Sequence, residues 1–152
     1  MKIRIDVVKD LAEDEVIIRC SKPGEAIARI QHFVMEQAAG VPDIVFYRDN
    51  TEYYFPLSEV LFFETEGDLV YAHTQEQSYR VKLRLYELEQ SLPGAFVRAS
   101  KSAILNTGRV HSITRNLASS SLVEFAGTHK RLYVSRRYYS ALKERLMQRS
   151  SI

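Results

Sequence analysis

The sequence of 152 residues contains a single cysteine, Cys20, so it can form neither an internal disulfide nor a cysteine-rich zinc site. Its apolar runs are only a few residues long, as at 60–63, whereas a membrane-spanning helix needs about 20. The first residues carry charges throughout and lack the apolar region of a secretory signal peptide. We therefore expect a protein of the reducing cytoplasm.

The motifs of common enzymes are also missing. The sequence has no His-Glu-x-x-His, no Gly-x-Ser-x-Gly and no Gly-x-x-x-x-Gly-Lys, and its six glycines are scattered. With no local carboxylate partners, the four histidines are expected to be structural or surface groups. They are His32, His73, His111 and His129. We predict no enzymatic activity, no cofactor and no metal.

A cysteine and a pair of glutamates could carry chemistry, but we interpret both as groups without a catalytic role. Cys20 alternates with Ile18 on a predicted strand, so we expect it to be a small buried apolar group. Glu64 and Glu66 share one face of another predicted strand and form a possible carboxylate pair. Because they flank a turn, we expect them to be solvated.

Acidic residues are scarce in the C-terminal part of the chain. The net charge is +2, but residues 1–94 carry −7, whereas residues 95–152 carry +9 with only Glu124 and Glu144 as acids. So basic a region suits a polyanion, of which nucleic acid is the commonest. A solvated basic face that only improves solubility is the alternative.

The pattern of apolar residues divides the chain near residue 43. Residues 2–7 alternate with period two, residues 16–20 are rich in β-branched side chains, and a helix is predicted from about Ser21 to about Gly40, stopped by Pro42. We therefore predict a small strand-strand-helix unit at 1–43. It is too small to be stable alone and must dock on the rest of the chain or on a second copy.

Residues 44–152 are mostly β. Short runs rich in β-branched and aromatic residues recur every 8–12 residues with turn signals between them, which is typical of antiparallel sheets. A short helix is predicted at Leu85–Leu92, before Pro93 and Gly94, and a last helix begins near Ser135. The ten predicted strands lie at 44–48, 52–55, 60–65, 69–74, 78–82, 96–98, 102–105, 109–114, 122–125 and 130–134.

The basic residues form three clusters, and one of them is unusual. Arg136 and Arg137 stand at a predicted helix N-terminus, where the helix dipole disfavours cations. The arrangement is explained if the helix start and the Ser135 hydroxyl face a phosphate. The other clusters are Arg98 with Lys101, followed by Ser102, and Lys130 with Arg131.

A family resemblance rests on these same residues. The segments Pro56-Leu57-x-x-Val60-Leu61-Phe62-Phe63-Glu64, Leu69-Val70-Tyr71 and Tyr79-x-Val81-x-x-x-Leu85-x-x-Leu88-Glu89-x-x-Leu92 resemble the LytTR DNA-binding domain. So do Phe96-Val97-Arg98-x-Ser100-Lys101-Ser102-Ala103-Ile104-Leu105-Asn106 and Val134-Ser135-Arg136-Arg137-Tyr138-x-x-x-Leu142-Lys143. The resemblance covers residues 44–147 in order.

This resemblance implies an elongated antiparallel β fold with short helices, in a transcription factor that binds double-stranded promoter DNA. In the family, loops and strand ends enter successive major grooves, and the targets are direct repeats. The implied contacts fall at Gly67 and Asp68 in the 66–68 turn, at Arg98 and Lys101, and at Arg136 and Arg137. We add Lys130 and Ser135, together with Arg136, as phosphate partners, and Ser102 as a further DNA-binding residue.

Several questions stay open at the level of sequence. The acidic 66–68 turn repels phosphate, although Asp68 could accept from a cytosine amino group, and Lys101 could read guanine or touch phosphate. Residues 1–40 resemble the start of stand-alone LytTR regulators, which lack a receiver domain and are often restrained by a small membrane protein. These residues either mediate homodimerisation or extend the core. The alternative function is a protein-interaction module that pairs with a membrane or signalling partner without specific DNA binding.

Overall fold

The computed structural model describes residues 1–39, 44–116 and 118–150. The chain divides after residue 40 into two compact units. None of the helices in these three segments is long and apolar enough to cross a membrane.

The first unit contains one helix, α1 (Glu25–Ala39), which confirms the predicted helix. Its apolar stripe of Ile27, Ile30 and Val34 is half-buried, whereas Phe33 and Met35 on the same helix are exposed. The predicted stop at Gly40 and Pro42 lies outside the described residues.

The two strands predicted at 2–7 and 16–20 are wrong, because residues 1–24 form neither strand nor helix. The alternating side chains Ile3, Ile5 and Val7 are at least 85% exposed. A two-stranded hairpin with no third strand and no covering face is marginal in water, and the described residues offer these segments no pairing strand. Cys20 is consequently exposed, so the prediction that it is a small buried apolar group is also wrong.

The second unit is mostly antiparallel β, as predicted. It has the helices α2 (Leu85–Ser91) and α3 (Arg136–Ser150) and two short 3-10 turns at Leu57–Glu59 and Thr107–Arg109. All ten predicted strands are present, with ends shifted by one or a few residues. They are β1 (Phe46–Arg48), β2 (Thr51–Tyr53), β3 (Phe62–Glu66), β4 (Leu69–His73), β5 (Ser78–Val81), β6 (Phe96–Ser100), β7 (Ala103–Asn106), β8 (Val110–Thr114), β9 (Ser121–Phe125) and β10 (Arg131–Val134).

The strands form two antiparallel sheets. The larger sheet has seven strands in the order β2-β1-β5-β4-β3-β7-β6, and the smaller has three in the order β10-β9-β8. Strand β3 lies inside the larger sheet, where Glu64 faces Tyr71 of β4 on one side and Ala103 of β7 on the other. The ladder between β6 and β7 is irregular between Arg98 and Ser100.

Two apolar cores cover the two faces of the larger sheet. Successive residues of β3 enter different cores: Phe62 packs with the smaller sheet and Leu142 of α3, whereas Phe63 packs with Leu88 of α2. The alternation follows from the period of two in a β-strand, which sends neighbouring side chains to opposite faces. Because both faces of β3 are buried, the residues that precede Glu64 in the sequence are all apolar from position 60 to position 63.

Asn106 at the end of β7 is a buried polar residue that connects three parts of this scaffold. Its Nδ2 donates to the Val60 carbonyl oxygen at 2.9 Å, and its Oδ1 accepts from the Gly108 amide at 3.0 Å. Only 5% of Asn106 is exposed. Both of its polar groups are therefore satisfied internally, as buried polar groups require.

We expect Asn106→Ala to lower the free energy of unfolding by about 2–3 kcal/mol, because it leaves the Val60 carbonyl and the Gly108 amide without partners. Urea unfolding measures the loss. The matched control is Asn116→Ala, which removes a similar bond to the Ala118 amide from an exposed side chain and should cost less than about 1 kcal/mol. Equal losses for the two variants would contradict this role of Asn106.

Candidate nucleic-acid interface

Three of the segments singled out in the sequence meet at one edge of the second unit. The Thr65 amide at the end of β3 donates to the Ser102 carbonyl oxygen at 2.8 Å, which places the β3–β4 turn beside the β6–β7 turn. The Ser135 amide donates to the Ala99 carbonyl oxygen at 2.9 Å, which places the start of α3 beside the end of β6. We call residues 66–68, 100–102 and 135–137 together the Lys101 edge.

The β3–β4 turn is short and acidic. Glu66 pairs with Leu69, which leaves Gly67 and Asp68 as the two turn residues, and both are exposed. Gly67 has φ +60, a left-handed conformation that glycine adopts without strain. The turn therefore presents carboxylates at the Lys101 edge, as the sequence suggested.

The β6–β7 turn exposes Lys101 and Ser102 to solvent. The Ser102 amide donates to the Ser100 hydroxyl at 3.2 Å, and the two hydroxyl oxygens are also 3.2 Å apart. In the described part of the chain no carboxylate is paired with Lys101. Its ammonium group is therefore available to an external anion.

Arg98 is placed next to this turn, but its side chain is directed into the protein. Its guanidinium donates to the carbonyl oxygens of Ser100 at 2.6 Å and Lys101 at 2.5 Å, and to Glu89 Oε2 of α2 at 2.5 Å. Only 17% of the side chain is exposed. Sequence reasoning missed Glu89 as the partner because nothing local links a helix carboxylate to a strand nine residues later.

The first turn of α3 contains two arginines and no acidic residue. Arg136 and Arg137 are exposed, and the described residues provide neither with a carboxylate partner. The Arg137 guanidinium carbon lies 5.5 Å from the centre of the Tyr138 ring, a distance typical of a cation–π contact. Both cations are therefore presented beside free backbone amides of the helix start.

The Ser135 hydroxyl is not presented in this way. Its Oγ is buried and has no hydrogen-bond partner among the described residues, whereas its backbone amide and carbonyl groups bond to Ala99 and Tyr138. In this conformation Ser135 joins α3 to β6 through its backbone.

Lys130, which the sequence grouped with the phosphate partners, lies elsewhere. Its Nζ donates to the Gln77 carbonyl oxygen at 2.7 Å and is 3.4 Å from His73 Nδ1. Both partners stand at the β4–β5 turn, at the opposite end of β4 from Gly67 and Asp68. Burial lowers the pKa of Lys130. The structure therefore uses this cation to hold the smaller sheet against the larger one.

Three ionisable groups on β3 and β4 lie close together. One ligand atom from each of Glu64, Glu66 and His73 lies within 4.8 Å of the others. Glu66 is exposed, as expected, whereas Glu64 is half-buried. Burial and, second, the charge of Glu66 raise the pKa of Glu64. The Lys130 ammonium beside His73 opposes a further cation at this position.

Comparison with known proteins identifies the family and the fold of the second unit. The family model of the LytTr DNA-binding domain matches residues 51–147. The chain belongs to the LytTR family. A LytTr DNA-binding domain from Bacillus cereus has the same fold, with a TM-score of 0.63 at 24% identity, over 69% of this chain and 97% of that one.

Two relatives extend the comparison beyond the domain. An uncharacterized HTH-type transcriptional regulator of Staphylococcus aureus strain bovine RF122 / ET3-1 is 31% identical over 96% of this chain and 98% of its own length. A second, from strain MSSA476, is 36% identical over 68% of this chain and 69% of its own length. In the present LytTR chain no two helices are consecutive within the described residues, so its geometry is not helix-turn-helix.

The sequence-based prediction of a LytTR-type DNA-binding regulator is thus confirmed. The geometry brings Gly67, Asp68, Lys101, Ser102, Arg136 and Arg137 to one edge. It places Arg98 and Ser135 at that edge with their side chains turned inward, and Lys130 away from it. That any of these residues contacts DNA stays a prediction.

His73 gives this part of the protein a pH dependence that can be measured. Burial and, second, the charge of Lys130 lower the pKa of His73 to about 4, below its unfolded value of about 6.5. The folded state therefore favours the neutral ring. The stabilisation is complete above pH 6.5 and is lost as the pH falls toward 4.

We expect the urea midpoint of the wild type to fall more steeply between pH 6.5 and 4 than that of His73→Phe. The variant keeps a ring stacked on Phe62 but binds no proton. Glu64, whose raised pKa acts in the opposite direction, is present in both proteins. His111→Phe, at an exposed position, should follow the wild-type profile. Parallel profiles for wild type and His73→Phe would contradict the buried neutral histidine.

Proposed function

We propose that the protein is a transcriptional regulator of the cytoplasm that binds promoter DNA sequence-specifically through the Lys101 edge. The observation that carries the proposal is the convergence of two turns and the start of α3 on one edge, where Lys101, Arg136 and Arg137 are exposed and have no carboxylate partner within the described residues. The family match and the regulator names of the relatives support the same function.

The chemistry of the Lys101 edge suits phosphate at one end and bases at the other. Backbone amides at the start of α3 and the two arginines offer donors and positive charge to a phosphate. Lys101 stands on a narrow two-residue turn that can enter a major groove and donate to guanine. Asp68, also on a two-residue turn, can accept a hydrogen bond from the cytosine amino group. Because its carboxylate is repelled by phosphate, the β3–β4 turn would favour the floor of the major groove over the two sugar–phosphate backbones.

We expect Lys101→Ala, Arg136→Ala and Arg137→Ala each to weaken binding to the DNA upstream of the protein's own gene by about 1–3 kcal/mol. Anisotropy titration with scrambled duplex as competitor measures the loss. If the residue contacts a base, its variant loses affinity only for the specific DNA site, which we call the operator. If it contacts a phosphate, the variant loses affinity for all duplexes equally, and the slope of log affinity against log salt concentration falls by about 1. With about four to six phosphates neutralised, a fourfold rise in salt lowers affinity by roughly two to three decades.

The matched control is Arg80→Ala, which removes one exposed positive charge from β5, two strands away from β3. The affinity of this variant for the DNA should stay within about twofold of that of the wild type once the salt concentration exceeds about 0.15 M, because salt screens the interaction of a distant surface charge with the DNA. An equal loss for Arg80→Ala would reduce the Lys101 edge to a general basic surface. Wild-type binding no tighter than to scrambled duplex would overturn sequence-specific recognition at that site.

We further propose that the regulator acts as a homodimer on direct-repeat sites, with residues 1–40 as the contact between copies. The support is the exposed apolar surface of the first unit, which includes Phe33 and Met35 of α1, each 62% exposed, and Ile3, Ile5 and Val7. Exposed apolar surface of this extent marks an interaction site. A regulatory membrane protein is the other partner that this surface could serve.

Sedimentation of the purified protein tests the dimer. We expect Phe33→Glu to weaken self-association by about 2 kcal/mol or more, since it places a charge on the exposed face of α1. Gln31→Glu, which adds the same charge at another exposed position of the helix, is the control. A wild-type protein that sediments as a monomer with and without direct-repeat DNA would contradict the homodimer and direct attention to the membrane partner.

A further inference from the structure

Arg98, beside the Lys101 edge, differs from the arginines of that edge because its charge is already paired with a carboxylate. Its ion pair with Glu89 spans 2.5 Å, and its side chain is 17% exposed against 49% for Glu89. By contrast, Arg136 and Arg137 are exposed, and within the described residues neither has a carboxylate partner. A DNA contact by Arg98 would require it to leave Glu89 and two carbonyl groups at once.

The two carbonyl groups belong to consecutive residues of the β6–β7 turn. Arg98 Nε donates to the Ser100 oxygen at 2.6 Å, and its second terminal nitrogen donates to the Lys101 oxygen at 2.5 Å. A planar guanidinium with donors in a fixed fork suits two neighbouring acceptors of this kind. Both carbonyls therefore face inward over Arg98, while the Lys101 side chain extends into solvent.

This part of the hairpin needs such support. The pairing of β6 with β7 is irregular between Arg98 and Ser100, so the regular ladder is interrupted directly before the turn. Within the described residues, the other bonds of the turn involve Ser100 and Ser102, including that from the Ser102 amide to the Ser100 hydroxyl at 3.2 Å. The hydroxyls of Ser100 and Ser102 contact each other at 3.2 Å, and the Ser102 carbonyl oxygen accepts from Thr65. The Lys101 carbonyl is held by Arg98.

Charge supports the same conclusion. An arginine placed directly under Lys101 would repel its ammonium group if the guanidinium were unpaired. Glu89 from α2 neutralises the guanidinium and fixes its third side, so that the fork points at the turn. Because α2 is docked by the buried residues Leu85 and Leu88, the carboxylate is anchored to the core.

We propose that Arg98 is a positioning residue: it holds the β6–β7 turn so that Lys101 meets the DNA, and Glu89 holds Arg98 in place. The proposal rests on the function proposed above for the Lys101 edge. It assigns Glu89, an acidic residue, a favourable effect on binding to a polyanion.

Glu89→Gln separates this role from a direct contact. If Arg98 positions Lys101, the variant weakens operator binding by about three- to tenfold, since the ion pair that fixes the guanidinium is lost. If Arg98 contacts DNA, the same change frees the guanidinium and removes a negative charge, so binding is unchanged or tighter. The matched control is Glu76→Gln, which removes an exposed acid from the β4–β5 turn and should bind at least as tightly as the wild type.

A double-mutant comparison gives an independent answer. Arg98→Gln and Lys101→Ala should each weaken operator binding by about 10- to 100-fold, and the double variant should be within about twofold of Lys101→Ala alone. The two losses are not expected to add, because Arg98→Gln affects DNA binding only through the position of Lys101. Losses that multiply in the double variant would show that Arg98 contacts DNA itself and would overturn the proposal.

The free protein supplies a readout that does not depend on DNA. We expect the backbone amide resonances of residues 100–102 to shift in both Glu89→Gln and Arg98→Gln, with thermal unfolding still cooperative. Unchanged amide resonances would overturn the positioning role. A wild-type protein that binds operator no better than scrambled duplex would instead contradict the proposed function, so the two failures are distinguishable.

Discussion

The burial of β3 on both faces and both edges is the constraint on which the Lys101 edge depends. Phe62 and Phe63 enter separate cores, and β4 and β7 pair with the strand on either side. A strand fixed in this way cannot slip, because a shift of one residue would exchange its two faces. The position of Thr65 is therefore fixed, and its amide sets the distance between the β3–β4 turn and Ser102.

The basic charge of the C-terminal part overstates the charge available to DNA. Several cations serve the fold by donating to backbone carbonyls. Arg109 reaches Ser58 at 2.6 Å, Arg149 reaches Val110 at 2.9 Å, and Lys130 reaches Gln77 at 2.7 Å. A phosphate-binding residue must instead be exposed and unpaired, which Lys101, Arg136 and Arg137 satisfy. The candidate DNA-binding surface is therefore indicated by which cations are exposed and unpaired, and not by the net charge of residues 95–152.

The fold of residues 44–150 could be predicted because its signals are local. Period-two alternation and turn residues mark each strand, and the ten strands follow from them. The two strands predicted at 2–7 and 16–20 did not follow from such signals. A strand forms only when a neighbour pairs with it, and the described residues offer Ile3 and Ile5 no such neighbour. The site was predictable to the level of its segments. The orientation of Arg98 was not, because it depends on Glu89, which reaches β6 only once α2 has packed on the sheet.

The start of α3 shows how function and stability are reconciled. Arg136 and Arg137 oppose the positive end of the helix dipole, at a cost of about 0.3–1 kcal/mol for each exposed charge. The helix tolerates this because its stability comes from elsewhere: Leu142 is fully buried, and Arg149 in the last turn bonds to carbonyls of the core. A bound phosphate would reverse the sign of the local interaction, since it places negative charge where the dipole favours it. At the start of α3 a bound polyanion would thus make these two unfavourable charges favourable.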